Sequence, residues 1–393
     1  MKTQPVYIVG AKRTPIGAFL GALSSLKAPE LGAKAIRAAL AQAQIAADAI
    51  DEVYMGNVLS AGVGQAPARQ ASIAAGLSSS VPTTTLNKVC GSGLMAVMMA
   101  SRALQLGEAK AVVAGGMESM SNAPYLLPRA RQGYRMGHGE IKDAMILDGL
   151  WDPYNDFHMG EAGELCAREY DFSRDAQDEF ARDSYRKALA ALESGAFSDE
   201  IAGVKIAAKG GESEVLEDEE PKRAQLDKMS KLRPAFRSDG TITAANASKL
   251  NDGAAALVLV NEAGLEAASA PPLARIVASA SYAHEPERFT TAPVGAIRRV
   301  LAKAELDAKE IDLFEVNEAF AVVAMACARE IGISPEKLNP RGGAVALGHP
   351  IGASGARVLV TLLHALKQTG KRRGLATLCI GGGEAVALVV ERV

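Results

Sequence analysis

Ile50-Asp51-Glu52-Val53-Tyr54-Met55 and Ile311-Asp312-Leu313-Phe314-Glu315-Val316 are two versions of one pattern, set in opposite halves of the chain. Each opens on Ile-Asp and runs into apolar, β-branched or aromatic residues, as a short buried strand does. Each is followed by a helical stretch, a further strand, a glycine-rich turn and another helix. The copies also close alike, on Val112-Val113-Ala114-Gly115-Gly116 and on Thr377-Leu378-Cys379-Ile380-Gly381. Arg275-Ile276-Val277-Ala278 resembles the opening strand at residues 6–9 in the same way. These pairs argue for an internal duplication.

Working outward, residues 6–9, 84–89 and 111–114 read as buried strands, with helices between them at 33–42 and 94–106. Such alternation predicts an α/β layered fold. Residues 121–247 break it. They carry Tyr134-Arg135-Met136-Gly137-His138-Gly139, an acidic-to-basic switch at 217–223 and one amphipathic helix over 174–194. The expected organisation is a first half at 1–120 continued by 248–271, an inserted loop domain at 121–247 and a second half at 272–393. Insertions of this size cover active sites or make subunit contacts.

At 393 residues the chain exceeds the roughly 250–300 that one core supports, which agrees with two units. A net charge of -2 gives no general attraction to nucleic acid or anionic membrane. No run reaches the roughly 20 apolar residues of a membrane span. The first residues enter a strand at once, with no leader pattern, so a cytoplasmic location is expected. The four cysteines show neither a CxxC pair nor zinc-type spacing, so free thiols and no metal are expected.

Two of those cysteines precede glycine-rich turns, Cys90-Gly91-Ser92-Gly93 and Cys379-Ile380-Gly381-Gly382-Gly383. Cys90 lies where a strand gives way to a helix, whose free N–H groups and dipole are expected to lower its pKa toward thiolate. A buried cysteine at a helix start is the other reading, and the residue alone does not decide between them. His349, pinned in Gly348-His349-Pro350, is suited to take a proton from a thiol. His284 and His364 read as ordinary surface and structural histidines, and Cys166 and Cys327 as core thiols. Asn317 sits between a strand and the next helix, where it either caps that helix or presents its amide to a site.

Together, Asn87-Lys88-Val89-Cys90-Gly91-Ser92-Gly93, Asn317-Glu318-Ala319-Phe320, Gly348-His349-Pro350-Ile351-Gly352 and Cys379-Ile380-Gly381-Gly382-Gly383 resemble the thiolases of acetyl-CoA acetyltransferase type. Further matches are Gly115-Gly116-Met117-Glu118-Ser119-Met120-Ser121, His158-Met159-Gly160 and Asn246-Ala247-Ser248-Lys249-Leu250-Asn251-Asp252-Gly253. The resemblance spans almost the whole chain, in family order. It implies two five-stranded layered α/β halves with an inserted loop domain, and a homotetramer.

It also implies that Cys90 is acylated, that His349 activates it, and that Cys379 is a second acid/base acting on the methyl of a second acetyl-CoA. A water held by Asn317 joins His349 at one oxyanion site. The N–H groups of Cys90 and Gly381 form another. Coenzyme A is then a substrate and product, with no tightly bound cofactor. Its expected contacts are Leu150, His158, Met159, Phe236, Ala244, Ser248, Leu250, Ala319 and Phe320, with Arg223 and Lys228 near the phosphates. Pro221 replaces the Tyr of potassium-activated relatives, so no potassium site is expected. Phe289 resembles the type that tolerates branched acyl groups, while acetyl-CoA and acetoacetyl-CoA remain the expected substrates. A longer-chain thiolase and a non-catalytic CoA- or lipid-binding relative are the alternatives. Cys379 argues against a ketoacyl synthase.

Overall fold

The structure is a computed structural model that describes residues 4–208 and 211–393. The first copy runs β1 (Val6–Arg13), α1 (Ala28–Ala43), β2 (Glu52–Gly56), α2 (Pro67–Ala75), β3 (Thr83–Leu86), α3 (Ser92–Leu106) and β4 (Ala111–Ser119). The intervening segment holds α4 (Met159–Glu169), α5 (Arg174–Glu193) and short two-stranded ribbons, and its strands stay outside the main sheet. The chain then returns as β5 (Asn251–Asn261). The second copy follows as β6 (Ala274–Ala283), α6 (Ala292–Ala304), β7 (Leu313–Val316), α7 (Ala321–Ile331), α8 (Ile351–Thr369), β8 (Arg373–Ile380) and β9 (Glu384–Arg392).

The strands lie in the order β7-β8-β9-β6-β1-β5-β4-β2-β3, with Gly17–Ala18 pairing beside β5. Within the sheet, the described strands of the two halves join between β1 and β6, through Tyr7↔Arg275 and Ile8↔Ala274. The duplicated Ile-Asp has a physical reason. Ile50 and Ile311 are buried. The Asp51 carboxylate accepts from the N–H groups of Lys110 and Ala111, and that of Asp312 from Arg372 and Arg373. In both copies it therefore fixes the start of the neighbouring parallel strand.

The second half departs from the five strands expected of it. Beyond β7 there is a single bridge, Phe314↔Leu338, where the first half has β3. Asn339 turns away with φ +43, and Pro340 has no N–H to continue a ladder. The Asn339 amide substitutes for backbone, accepting from Val316 N–H at 2.8 Å and donating to Val316 O at 2.9 Å. The predicted strand at 84–89 also stops early, at Leu86. There the Asn87 side chain accepts from Val89 N–H at 2.8 Å, making a turn of its own.

Helices α3 and α8 form the central layer, in one apolar cluster with residues from both halves of the sheet. Helix α8 is buried from Ile351 to Leu366, and its polar stripe of Ser354, Arg357, Thr361 and His364 is buried with it. Helices α1 and α2 cover the outer face of the first half, and α6 and α7 that of the second. The apolar stretch at residues 89–106 has the hydropathy of a membrane span, yet here it is core helix α3.

Candidate active site

Cys90 stands at the tip of a strained turn. Val89 takes φ +45, a conformation that a β-branched side chain disfavours. Ser92 holds it there, its Oγ accepting from Lys88 N–H at 2.8 Å and donating to Val89 O at 2.7 Å. Strain at a functional residue persists only where the surroundings over-determine it, as they do here. The thiol does not behave as the helix-start argument predicts. Burial pushes it up to about 11, and this outweighs the N–H groups of Gly381 and Cys90 itself, which act in the opposite direction. Cys90 therefore rests as a thiol, and a base must take its proton.

His349 is arranged as that base. Its backbone N–H donates to Asn251 Oδ1 at 2.9 Å, and its Nδ1 lies 2.6 Å from Ser354 Oγ. The single Ser354 hydroxyl proton goes to Pro350 O at 2.9 Å. Ser354 must then accept from His349, which assigns the proton to Nδ1 and leaves Nε2 with its lone pair. Nε2 is buried and has no partner among the described residues. Burial, and secondly the charge of Arg357, push the imidazole down to about 3. It is neutral throughout the physiological range.

Two helix starts bring these residues together. A Cβ at Gly93 would stand 2.7 Å from Ala356 N, and one at Gly355 only 2.4 Å from Leu94 N. The bare glycines let the first turns of α3 and α8 touch, so the residues just before them, Cys90 and His349, share one end of the central layer. Glu118, at the end of β4, anchors the arrangement. Its buried carboxylate accepts from Val58, Leu59 and Gly352 N–H groups and from the Asn57 amide. It joins the loop after β2 to the start of α8.

Cys379 ends β8 and is fully buried, packed among Met159, Phe289 and Phe320. Burial, then the neighbouring Cys90 sulfur, raise its pKa well above the ordinary thiol value. Asn317 is also fully buried, and neither atom of its amide has a hydrogen-bond partner. It does not cap α7, which starts at Ala321 after Phe320. The capping reading therefore does not hold, and the amide is left unpaired among the described residues.

Cys90, His349 and Gly381 open into a cleft of about 530 Å³. Its walls include Leu150, His158, Met159, Arg223, Phe236, Ala244, Ser248, Leu250, Ala319 and Phe320. His158 stacks on Phe236 with centroids 4.7 Å apart, which makes a flat apolar wall. Phe289 also lines the cleft, edge-on to Phe320 at 6.5 Å. Cys379 and Asn317 lie behind the walls. Lys228 is exposed on an adjoining pocket, which shares Glu220, Arg223, Ala244 and Lys249 with the cleft. Sequence reasoning passed over Glu118, Ser354, Asn251 and Lys249. Glu118, Asn251 and Lys249 stand inside quoted blocks, and Ser354 follows His349 by five residues, one turn into α8.

Residues 6–263 match the family Thiolase, N-terminal domain, and residues 270–392 match Thiolase, C-terminal domain. This chain belongs to the thiolase family. It is 51% identical to an acetyl-CoA acetyltransferase of Pseudomonas aeruginosa over 391 residues, covering 99% of this chain and 100% of the relative. An acetyl-CoA acetyltransferase of Escherichia coli is likewise 51% identical, covering 98% of each chain. Among solved structures, a thiolase from Ascaris suum in complex with coenzyme A superposes with a TM-score of 0.95 at 43% identity. That match covers 99% of this chain and 100% of the other. As a thiolase the chain is an acyltransferase, and its cleft lies between the duplicated halves and the inserted segment.

Proposed function

We propose that this thiolase condenses two acetyl-CoA to acetoacetyl-CoA and CoA, and catalyses the reverse thiolysis, through an acetyl-Cys90 intermediate. The observation that carries this reading is one apolar cleft floored by a thiol, two N–H donors and a bare imidazole nitrogen, with a second thiol buried behind them. His349 Nε2 takes the Cys90 proton as the sulfur attacks the thioester carbonyl. The resulting oxyanion faces the N–H groups of Cys90 and Gly381. The C–S bond to CoA breaks, and Cys379 gives its proton to the departing thiolate. This leaves acetyl-Cys90, protonated His349 and a Cys379 thiolate.

The same charges then drive the second half. The carbonyl of a second acetyl-CoA accepts from His349 Nε2–H and from a water on Asn317. The Cys379 thiolate removes a methyl proton, and the enolate carbon attacks acetyl-Cys90. Collapse releases acetoacetyl-CoA, and the Cys90 sulfur regains its proton from His349. A Cys379 pKa well above the ordinary value suits this cycle, because its thiolate is a strong base formed only when needed.

The apolar wall of His158 and Phe236 suits a pantetheine arm, and Arg223 at the cleft mouth suits a phosphate. Phe289, a bulky ring in the same cleft wall, takes up room there that a longer acyl chain would need. Comparing kcat/KM for acetoacetyl-CoA, its 2-methyl derivative and longer 3-ketoacyl-CoAs tests that part. We also propose a cytoplasmic homotetramer. Exposed apolar side chains of the insertion, including Tyr125, Leu127, Met136 and Ile141, support the assembly. Light scattering that gives a monomer would contradict it. The reaction itself is tested by mixing enzyme with acetyl-CoA alone: acetylated enzyme and acetoacetyl-CoA are expected. Turnover without any acyl-enzyme excludes the covalent route.

A further inference from the structure

Lys249 lies in the wall of the cleft, between Ser248 and Leu250, in a position that the catalytic scheme does not use. Its ammonium is held from two sides. It donates to Ala247 O at 2.7 Å and to Val345 O at 3.2 Å, and it stands over the Tyr185 ring at 5.6 Å. The two carbonyls belong to different parts of the site. Ala247 ends the loop that carries Ala244 and Ser248 along the cleft, and Val345 lies in the single turn Ala344–Leu347 that leads into Gly348-His349.

The loop has few other attachments on that side. Ser248 N–H donates to Ala319 O at 3.0 Å, and Ala321 N–H to Asn246 O at 2.8 Å, both toward the start of α7. Asn251 Oδ1 holds the His349 N–H directly, and Lys249 adds a second link, to the turn just before it. Two carbonyl oxygens and a ring face form a cation-binding environment, and the side chain fills it with a charge carried by the chain itself.

We infer that Lys249 is a positioning residue, a tethered cation that fastens the CoA-binding loop at residues 244–248 to the turn bearing His349. This inference rests on reading the cleft as a CoA site. The charged groups around it are Glu220 and Glu318, both of which favour the ammonium, with Arg223 and Lys228 along the adjoining walls. Glu318 also accepts from Val345 N–H at 3.1 Å, so the same turn is held at both its carbonyl and its N–H. Tyr185 contributes its ring. Burial outweighs the two glutamates and pushes the Lys249 ammonium down to about 8. The cation is therefore present below that pH and is lost as pH rises through it.

The test is acetyl-CoA binding to the full enzyme by calorimetry, together with steady-state kinetics. Wild-type enzyme should bind acetyl-CoA with an affinity that weakens above about pH 8. Lys249→Ala should raise the KM for acetyl-CoA roughly tenfold or more, change kcat less, and lose that alkaline weakening. Methylammonium, small enough for the vacated space, should restore the KM of the variant, while methanol should not. A variant whose KM matches wild type overturns the inference, and so does a raised KM that methylammonium leaves unchanged. Should the variant not fold, the wild-type profile decides alone, and affinity that stays level from pH 7 to 9.5 overturns it. Failure of wild-type enzyme to bind acetyl-CoA at all would instead overturn the CoA reading.

Discussion

At the scale of residues, the site works by keeping its groups neutral until substrate arrives. Burial holds Cys90 as a thiol and His349 as a free base, so in the proposed scheme acylation begins with a proton transfer from one to the other. The sign of each shift has a consequence. With His349 pushed down to about 3, its base form survives far below the ordinary histidine range. The kcat/KM profile should then show no His349 limb near 6.5, and an inflection there that vanishes in His349→Asn would contradict the assignment. With Cys90 pushed up to about 11, its alkylation by iodoacetamide should keep accelerating with pH beyond 9. A plateau below pH 8 would show a resting thiolate. Ser354 sets the tautomer, so Ser354→Ala should lower kcat roughly tenfold or more while leaving the KM for acetyl-CoA near wild type.

The cysteine and histidine that meet at the cleft were legible as candidates because glycine and proline mark them in sequence. The direction of the Cys90 shift was not, because desolvation depends on what covers the thiol, and the cover comes from Ile380, Gly381 and other distant residues.

At the scale of elements, the decisive contact is the meeting of α3 and α8 at their first turns. The close approach of β4 to the start of α8 supports it: a Cβ at Gly116 would lie 2.0 Å from Gly352 O. Backbone cannot yield as the tip of a long side chain can, so Gly116→Ala and Gly355→Ala should each destabilise by about 1–3 kcal/mol or more. Chemical denaturation measures this, and an unchanged midpoint would mean that the helices have room to part. Strand and helix runs of the first half were readable from periodicity. The missing fifth strand was not, because it turns on Asn339 replacing backbone pairing with its side chain, which composition does not reveal.

At the scale of the whole molecule, a buried charge cluster joins the insertion to both halves. Arg13 on β1 donates to Glu200 at 2.6 Å and to Asp218 at 2.7 and 2.9 Å, both in the inserted segment. Glu200 also accepts from Arg341 at 3.0 Å and from Thr361 of α8 at 3.0 Å. Removing one member strands the others without solvent. Arg13→Met should therefore cost about 3–5 kcal/mol, read as a lowered denaturation midpoint. A change below about 1 kcal/mol would show that water or rearrangement relieves the carboxylates. In sequence the partners of each ion pair stand more than a hundred positions apart, so only the duplication and the insertion could be read at this scale.

The division of labour between the two sulfurs is the centre of the account, and one variant tests it. Cys379→Ala should still take an acetyl group from acetyl-CoA, mapped by peptide mass spectrometry to Cys90, while forming essentially no acetoacetyl-CoA. Condensation at the wild-type rate by that variant, or an acetyl group found on a residue other than Cys90, would contradict it.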